Sequence, residues 1–400
     1  MKLHIFNPEN DLALADGGAN YCAPPAAMSI AHDLATLPLW FATENGTVFL
    51  PGELHRNYYN EFSSRFSIAS PYENVMKPSV SEVEPWGWSM QMRRRLVAMG
   101  LDEDMLPTKE NIASMREVSN RRTSITILQA LREQGVSTPV LPQYFTQPND
   151  VADFINGRKR SVVKAPWSGS GKGIAWGIGR VEPPMEHFYS GIIRRQGGVV
   201  CEEFLENEIE FAMEFLANEN GVEFAGYSLF TVSKGSYSGN ILADDARIED
   251  FLAGYVERRE LACLKRALCG IMRGILAGTR YSGYFGIDMT IYKKDGTFLL
   301  NPCMELNLRM NMGMASRIIF DRHVAPGSTG RFRVDFFRKN GEALEMHKRL
   351  VAGFPLHAAG GKIEHGYVNF SPVTEDSKYV AYAVVDGVQK PLEQLYFMNC

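Results

Sequence analysis

The sequence predicts a mixed α/β protein, α+β in its middle part, built as two or three packed domains, and three observations carry that prediction. Four hundred residues exceed what one ordinary hydrophobic core organises. A content of 45% hydrophobic and 22% charged residues is that of a globular chain. Short apolar runs that read as strands alternate with stripes of helical period. The formal charge of -4 excludes an electrostatic grip on nucleic acid, and the clusters Arg93-Arg94-Arg95 and Arg158-Lys159-Arg160 read as solvated faces. Cys22, Cys201, Cys263, Cys269, Cys303 and Cys400 show no paired spacing, so reduced thiols and a cytoplasmic location are expected, not a disulfide framework or a zinc site. The opening apolar run Met1 to Phe6 is too short for a signal peptide, and no segment approaches the roughly 18 apolar residues of a membrane span.

Residues 1–115 open on a short strand and continue into a Pro-, Trp- and Tyr-rich stretch, Pro51 to Trp88, whose pattern fits no element; they are expected to form an α/β N-terminal domain. The pattern turns helical near Thr108, and Ser119-Asn120 is expected to cap a helix carrying Ile125, Leu128 and Leu131 that stops at Gly135. Residues 116–200 then read as a small unit, with strands at Thr138 to Tyr144, Ser161 to Ala165 and Val199 to Phe204 and a short helix at Asp150 to Asn156. Residues 201–330 carry strands at Phe211 to Leu216 and Val222 to Phe230. A helix near Val256 to Ala277 follows, with Leu261, Leu264, Leu268, Met272 and Ile275 on one stripe. Two strands, Tyr284 to Lys293 and Thr297 to Asn307, meet at Asp295-Gly296, a strong hairpin signal. Residues 331–400, a C-terminal extension, offer a helix near Glu342 to Leu350 and a strand pair at Tyr367 to Phe370 and Tyr379 to Val385.

Chemistry concentrates in two places. Lys164 ends an apolar strand before a loop in which Gly169, Gly171 and Gly173 let backbone N–H groups turn toward an anion, an arrangement suited to phosphate. It is not a Walker A loop, because Pro166 and Gly173 stand where that pattern needs Gly and Ser or Thr. A solvated turn is the other reading. In the hairpin, a two-residue turn would set Asp288 against Cys303, making Asp288 and Glu305 diagonal neighbours on one face with Asn307 beyond. Three hard oxygen donors on rigid strands suit Mg²⁺, and Arg309 on the same face could brace developing negative charge. The bland alternative is the polar face of an exposed hairpin. The acidic cluster around Glu202, Glu203, Glu206, Glu208 and Glu210 is either a solvated edge or a place where a strand leaving its sheet meets a base and a ribose.

Taken in order, Arg121, Lys164 before the glycine loop, Glu202-Glu203-Phe204-Leu205 with Glu210-Phe211, then Asp288 and Glu305-Leu306-Asn307-Leu308-Arg309 resemble the ATP-grasp superfamily over about residues 110 to 320. The resemblance implies the ATP-grasp fold: a preceding domain in 1–115, a small lid subdomain in 116–200, a large subdomain with the metal site in 201–330, and 331–400 packing on that core. It implies ATP binding by Arg121, Lys164, Ser168, Gly169, Ser170, Gly171, Lys172, Gly173, Glu202, Glu203, Phe204, Leu205 and Glu210. Lys164 would touch the α/β phosphates, Arg121 would stand where many members have lysine, and the loop from Ser168 to Gly173 would close over the phosphates. The Glu202 carbonyl and Leu205 N–H would meet adenine and Glu210 the ribose. Asp288, Glu305 and Asn307 would bind two Mg²⁺, with Mn²⁺ as a substitute, and Arg309 with Lys164 would serve catalysis.

The activity so implied is a ligase in which ATP phosphorylates a small-molecule or peptide carboxylate and an amine displaces phosphate; a homodimer is left open. The rivals are an ATP-dependent phosphotransferase and a non-catalytic ATP-binding protein. No lysine flanked by methionines is present to carry biotin. Lys234, Tyr237, Asn240 and Arg247 are substrate candidates by position. His323 lies near the expected site but reads as structural, and Cys303 as core. Asn7 to Asp11 and Gly17 to Asn20 read either as a ligand-binding strand end or as turn chemistry.

Overall fold

A computed structural model describes residues 1–43, 45–72, 80–169, 173–233 and 236–397. Its first sheet is parallel, with β1 (Lys2–Ile5), β2 (Gly46–Val48), β3 (Ser70–Pro71) and β4 (Glu82–Pro85) in the order β3-β2-β1-β4. Leu3 and Ile5 of β1 are buried. The stretch without a readable pattern resolves here into the helix Glu53–Ser63, β3 and β4. The chain leaves the carboxyl end of β1 through Asn7, whose amide donates to the Gly87 carbonyl at 2.9 Å, and enters the helix Asn10–Asp16. Asp11 therefore stands at the carboxyl end of a parallel sheet, where open α/β sheets take ligands.

The second sheet is antiparallel, with β5 (Gln143–Phe145), β6 (Ser161–Lys164), β7 (Ile174–Gly177) and β8 (Val199–Glu203) in the order β5-β8-β6-β7. The helices Pro148–Asn156 and Pro183–Gln196 cover it, burying Val151, Ile155, Tyr189 and Ile192 against Val163, Val199 and Cys201. The strand expected from Thr138 begins only at Gln143, because Pro139 and Pro142 have no N–H for a ladder. Ser119-Asn120 does not cap the next helix. Ser119 ends the helix Lys109–Val118 by donating to the Met115 carbonyl at 2.8 Å, and the Asn120 side chain accepts from the Arg122 N–H at 2.9 Å. The helix Thr123–Glu133 starts after them, which leaves Arg121 in the turn with its N–H on the Pro166 carbonyl at 2.9 Å.

Nine antiparallel strands form the third sheet: β9 (Asn207–Asn218), β10 (Gly221–Ser233), β11 (Ser236–Leu242), β12 (Gly283–Lys294), β13 (Thr297–Asn307), β14 (Thr329–Phe336), β15 (His357–Ala359), β16 (Lys362–Asn369) and β17 (Tyr379–Asp386). Their order is β13-β12-β9-β10-β11-β14-β17-β16-β15. The alternation of a pleated strand divides the two faces. Ile209, Phe211, Met213 and Phe215 of β9, with Phe285, Ile287, Met289 and Ile291 of β12, pack on the helix Arg258–Leu276 through Leu261, Leu264, Leu268 and Met272. The other face receives the helix Met312–His323 and residues from the first sheet's neighbourhood. The C-terminal residues are not an appendage, since β14, β17 and β16 continue the central sheet. The expected limits at 115, 200 and 330 fall inside the helix Lys109–Val118, β8 and β14.

Trp40, fully buried, ties the first and last parts of the chain together. Its ring meets those of Phe62, Phe66, His323 and Phe370 at centroid distances of 5.7, 5.1, 5.0 and 5.0 Å. Its Nε1 donates to the Tyr58 hydroxyl at 2.9 Å, which donates to the Asn369 carbonyl at 2.7 Å. His323 Nε2 lies 2.9 Å from the Trp40 carbonyl, and burial pushes its pKa down to about 4. His323 is thus a core residue of this cluster, away from the site its sequence position suggested. Removing so large a buried side chain leaves a cavity between segments distant in sequence, so Trp40→Ala should cost about 3–5 kcal/mol. Urea unfolding of wild type and variant followed by intrinsic fluorescence checks this.

Candidate active site

The face of the large sheet opposite the helix Arg258–Leu276 and the tip of the second sheet enclose a cleft of about 350 Å³. Alternation supplies its floor: Glu210, Ala212 and Glu214 from β9, Ser228, Phe230 and Val232 from β10, and Asp288 from β12. Val162, Ile174, Phe204, Leu205 and Met304 make one part apolar.

Lys164, at the end of β6 and only 5% exposed, forms an ion pair with Glu202 on β8. Arg121 reaches in from its inter-helix turn. Its Nη1 donates to the Ala165 carbonyl at 2.6 Å and to Ser168 Oγ at 3.1 Å, and its Nη2 donates to Glu305 Oε1 at 2.5 Å. Ser168 and Gly169 line the cleft; Gly173 adopts φ 77° and closes the loop by accepting from the Ala165 N–H at 2.8 Å. Ser170, Gly171 and Lys172 lie outside the described residues.

Asp288 and Glu305 are direct cross-strand partners, not diagonal ones. The register runs from Lys294 opposite Thr297 to Thr290 opposite Asn301, then shifts so that Asp288 faces Glu305. The shift falls at Pro302, which cannot donate to the ladder, and Asn301 Oδ1 accepts the Cys303 N–H there at 3.3 Å. Burial, then the neighbouring Glu305 charge, pushes the Asp288 carboxyl up to about 7. Asn307 Nδ2 donates to Asp288 Oδ2 at 3.0 Å, and Arg309 Nη2 donates to Asn307 Oδ1 at 3.0 Å. Arg309 also grips Asp11 with two bonds, Nε to Oδ1 at 2.8 Å and Nη2 to Oδ2 at 2.7 Å. Among the described residues no three His, Cys, Asp or Glu side chains gather as a metal cage. The pair Asp288 and Glu305, held together against their mutual repulsion, matches the one or two carboxylates through which Mg²⁺ is bound beside phosphate.

Several expected residues stand elsewhere. The Glu203 side chain, one residue from Glu202, takes the opposite face and comes within 3.8 Å of Arg158. Phe204 lies under the Arg160 guanidinium, 3.4 Å from its ring centroid, and still lines the cleft. Tyr237 lines the cleft and donates to Asn240 Oδ1, while Asn240, buried behind it, donates to Ser228 Oγ at 2.6 Å. Arg247 does not join the site: the helix Asp245–Leu252 carries it to the Lys390 carbonyl at 2.6 Å. Lys234 is outside the described residues. Cys303 is core.

Sequence reasoning missed Glu214, Asn311 and the role of Asp11. Glu214 is 1% exposed, accepts from Asn311 Nδ2 at 2.7 Å, and has its pKa pushed up to about 8 by burial. Its signal was present, because Glu210 and Glu214 are four apart on one strand and so share a face.

Glu214 and Asp288 both keep a proton in the fold at pH values where the unfolded chain has lost it. Unfolding then releases protons, so stability falls as pH rises from about 4.5 to 8. For the ligand-free protein the thermal midpoint should drop across that window, and Glu214→Gln should flatten the upper part of the slope; differential scanning calorimetry in matched buffers reads both.

No family model and no curated protein matches the sequence. Solved structures do match. An N5-carboxyaminoimidazole synthetase from Staphylococcus aureus is 11% identical, with 98% of this chain and 95% of that one covered at a TM-score of 0.52. An N5-carboxyaminoimidazole ribonucleotide synthetase from Thermus thermophilus is 13% identical, with 98% and 96% covered at 0.51. A biotin carboxylase from Campylobacter jejuni is 10% identical, with 97% and 88% covered at 0.52. All three are ATP-grasp proteins, and likeness over nearly the whole length at so low an identity speaks to architecture: the chain has the ATP-grasp fold.

Proposed function

We propose that this chain is an ATP-dependent ligase that converts a carboxylate into an acyl phosphate and joins it to an amine, releasing ADP and phosphate. One observation carries the reading: Lys164, Arg121 and Arg309 converge on a single cleft that also holds the Asp288–Glu305 pair. Among its described lining residues five carboxylates, Glu202, Glu210, Glu214, Asp288 and Glu305, face three cations, Arg121, Lys164 and Arg309. A polyphosphate set against the Asp288–Glu305 pair is repelled by it unless it brings divalent cations, which favours Mg²⁺ or Mn²⁺ held by Asp288 and Glu305, with Asn307 beside them. When bound, such ions supply charge neutralisation along the phosphates.

The chain's own residues do the rest. The apolar walls around Val162, Ile174, Phe204 and Met304 would take the adenine, with the Glu202 carbonyl and the Leu205 N–H on its edge and Glu210 on the ribose. Lys164 exchanges Glu202 for phosphate oxygens, and Arg121 exchanges Glu305. The substrate carboxylate attacks the γ-phosphorus, and Arg309 braces the acyl phosphate and then its tetrahedral successor. No side-chain nucleophile is required. A cytoplasmic location and small-molecule or peptide substrates belong to this reading. No helix among the described residues is long and apolar enough to cross a membrane.

Calorimetry with ATP and Mg²⁺ tests the nucleotide site. Wild type should bind ATP only with the metal, and Glu305→Ala should weaken that binding by about 10-fold or more, since one of two anionic donors is lost and Arg121 is left unpaired. With pooled carboxylates and amines, ADP and phosphate should appear only when both classes are present. A stable phosphorylated product formed without amine would establish the phosphotransferase instead.

A further inference from the structure

At the inner end of the cleft the nucleotide residues run out and a different set begins. Glu214, Ser228, Asn311, Met312 and Gly313 line this end. Glu214 is 1% exposed, yet among the described residues only its Oε2 has a hydrogen-bond partner, the Asn311 amide at 2.7 Å; Oε1 has none. Two glycines create the space this carboxylate occupies. A Cβ on Gly313 would stand 2.4 Å from Oε1 and 2.4 Å from Ser228 Oγ, and one on Gly286 would stand 2.6 Å from Oε2. In the ligand-free protein this carboxyl keeps its proton, and a cationic hydrogen-bond donor that enters can displace the proton and pair with the charge left behind. The surrounding polar groups are neutral: Tyr237 donates to Asn240, which donates to Ser228. Met312 adds an apolar side chain here, whereas Phe230 stands opposite Glu210.

Resting on the ligase reading, we infer that this end of the cleft is the subsite of the nucleophile, that the nucleophile is a primary amine, and that Glu214 binds its ammonium form and takes the first of the two protons it must lose. In the joining step the amine nitrogen forms a bond to the acyl carbon and the carbon–oxygen bond to phosphate breaks. Glu214 takes the first proton and frees the nitrogen lone pair; phosphate leaves with the bonding pair and carries away the second proton as hydrogen phosphate. Burial supports the role by pushing this carboxyl up to about 8, and the Asp288 charge acts in the same direction. The Asn311 hydrogen bond and the Arg309 charge act against it, and Tyr237 across the cleft stays neutral, its own pKa far above the ordinary value. A base with a pKa near the working pH is the efficient one.

Hydroxylamine separates this inference from the reading beneath it. It is unprotonated at neutral pH, needs no base, and traps acyl phosphates as hydroxamates. Wild type with ATP, Mg²⁺ and pooled carboxylates is assayed for hydroxamate with hydroxylamine and for amide with a panel of primary alkylamines. Glu214→Gln should lower the ratio of amide to hydroxamate by about 10²–10⁴, the span usual for losing a general base. The amide rate of the variant should rise more steeply toward alkaline pH than that of wild type, because only amine already unprotonated in solution can then react. Gly313→Ala, which keeps the carboxyl but crowds Oε1, should lower the same ratio and guards against a glutamine variant that fails to fold. An unchanged ratio in both variants overturns the assignment of Glu214. Absence of hydroxamate from wild type with every carboxylate overturns the ligase reading, and this inference with it.

Discussion

The pleat of β9, β10, β12 and β13 is the constraint on which the rest depends. Successive side chains must leave a strand on opposite sides, so one run of residues has to serve a dry core and a charged cleft at once. In β9 the odd positions from Ile209 to Phe215 are buried against the helix Arg258–Leu276, while Glu210 and Glu214 between them line the cleft. Burial of the odd positions fixes register, because a slip of one residue would drive Glu210 and Glu214 into the core and expose Phe211 and Phe215. The hydrophobic core thereby sets where each acid of the site stands.

A cleft assembled this way gathers charges faster than it can hydrate them, and the chain answers by linking them. Lys164 holds Glu202, Arg121 holds Glu305, and a chain of bonds runs from Asp288 through Asn307 and Arg309 to Asp11. Each cation has a carboxylate partner: Glu202 for Lys164, Glu305 for Arg121 and Asp11 for Arg309. Arg121 is the instructive case. Its Nη1 is anchored by the Ala165 carbonyl while its Nη2 faces Glu305, so its planar fork keeps one backbone anchor if the other arm changes partner.

What the sequence made legible follows from the range of the interactions involved. The hairpin at Asp295-Gly296, the helix stripe from Leu261 to Met272 and the lysine before the glycine loop are local signals, and the elements they mark are present. The cross-strand meeting of Asp288 and Glu305 was readable only to within a register step, because Pro302 shifts the ladder inside a strand that otherwise reads as regular. Arg247 misled for a related reason. Its distance along the chain from the β10–β11 turn says nothing of the helix Asp245–Leu252, which carries it away to Lys390. The continuity of β14, β17 and β16 with the central sheet was invisible, since pairing between segments far apart leaves no mark in either one.

Asp11 shows how a long-range partner can be missed while its neighbourhood is noticed. Asn7 to Asp11 has the residues of a turn, and Asn7 does hold the chain end of β1 to Gly87. That same anchor aims the helix Asn10–Asp16 so that Asp11 meets Arg309, 298 positions away, in a two-pronged ion pair whose side chains are 19% and 16% exposed. A pair so enclosed is screened less than a surface bridge, and its fork geometry fixes the guanidinium plane as well as its position. On the proposed reading, in which Arg309 braces charge that develops during reaction, this prior orientation spares the cost of reorganising the guanidinium at that moment. The start of the chain thus contributes to the cleft without lining it: Asp11, in the helix that follows β1, fixes the Arg309 guanidinium.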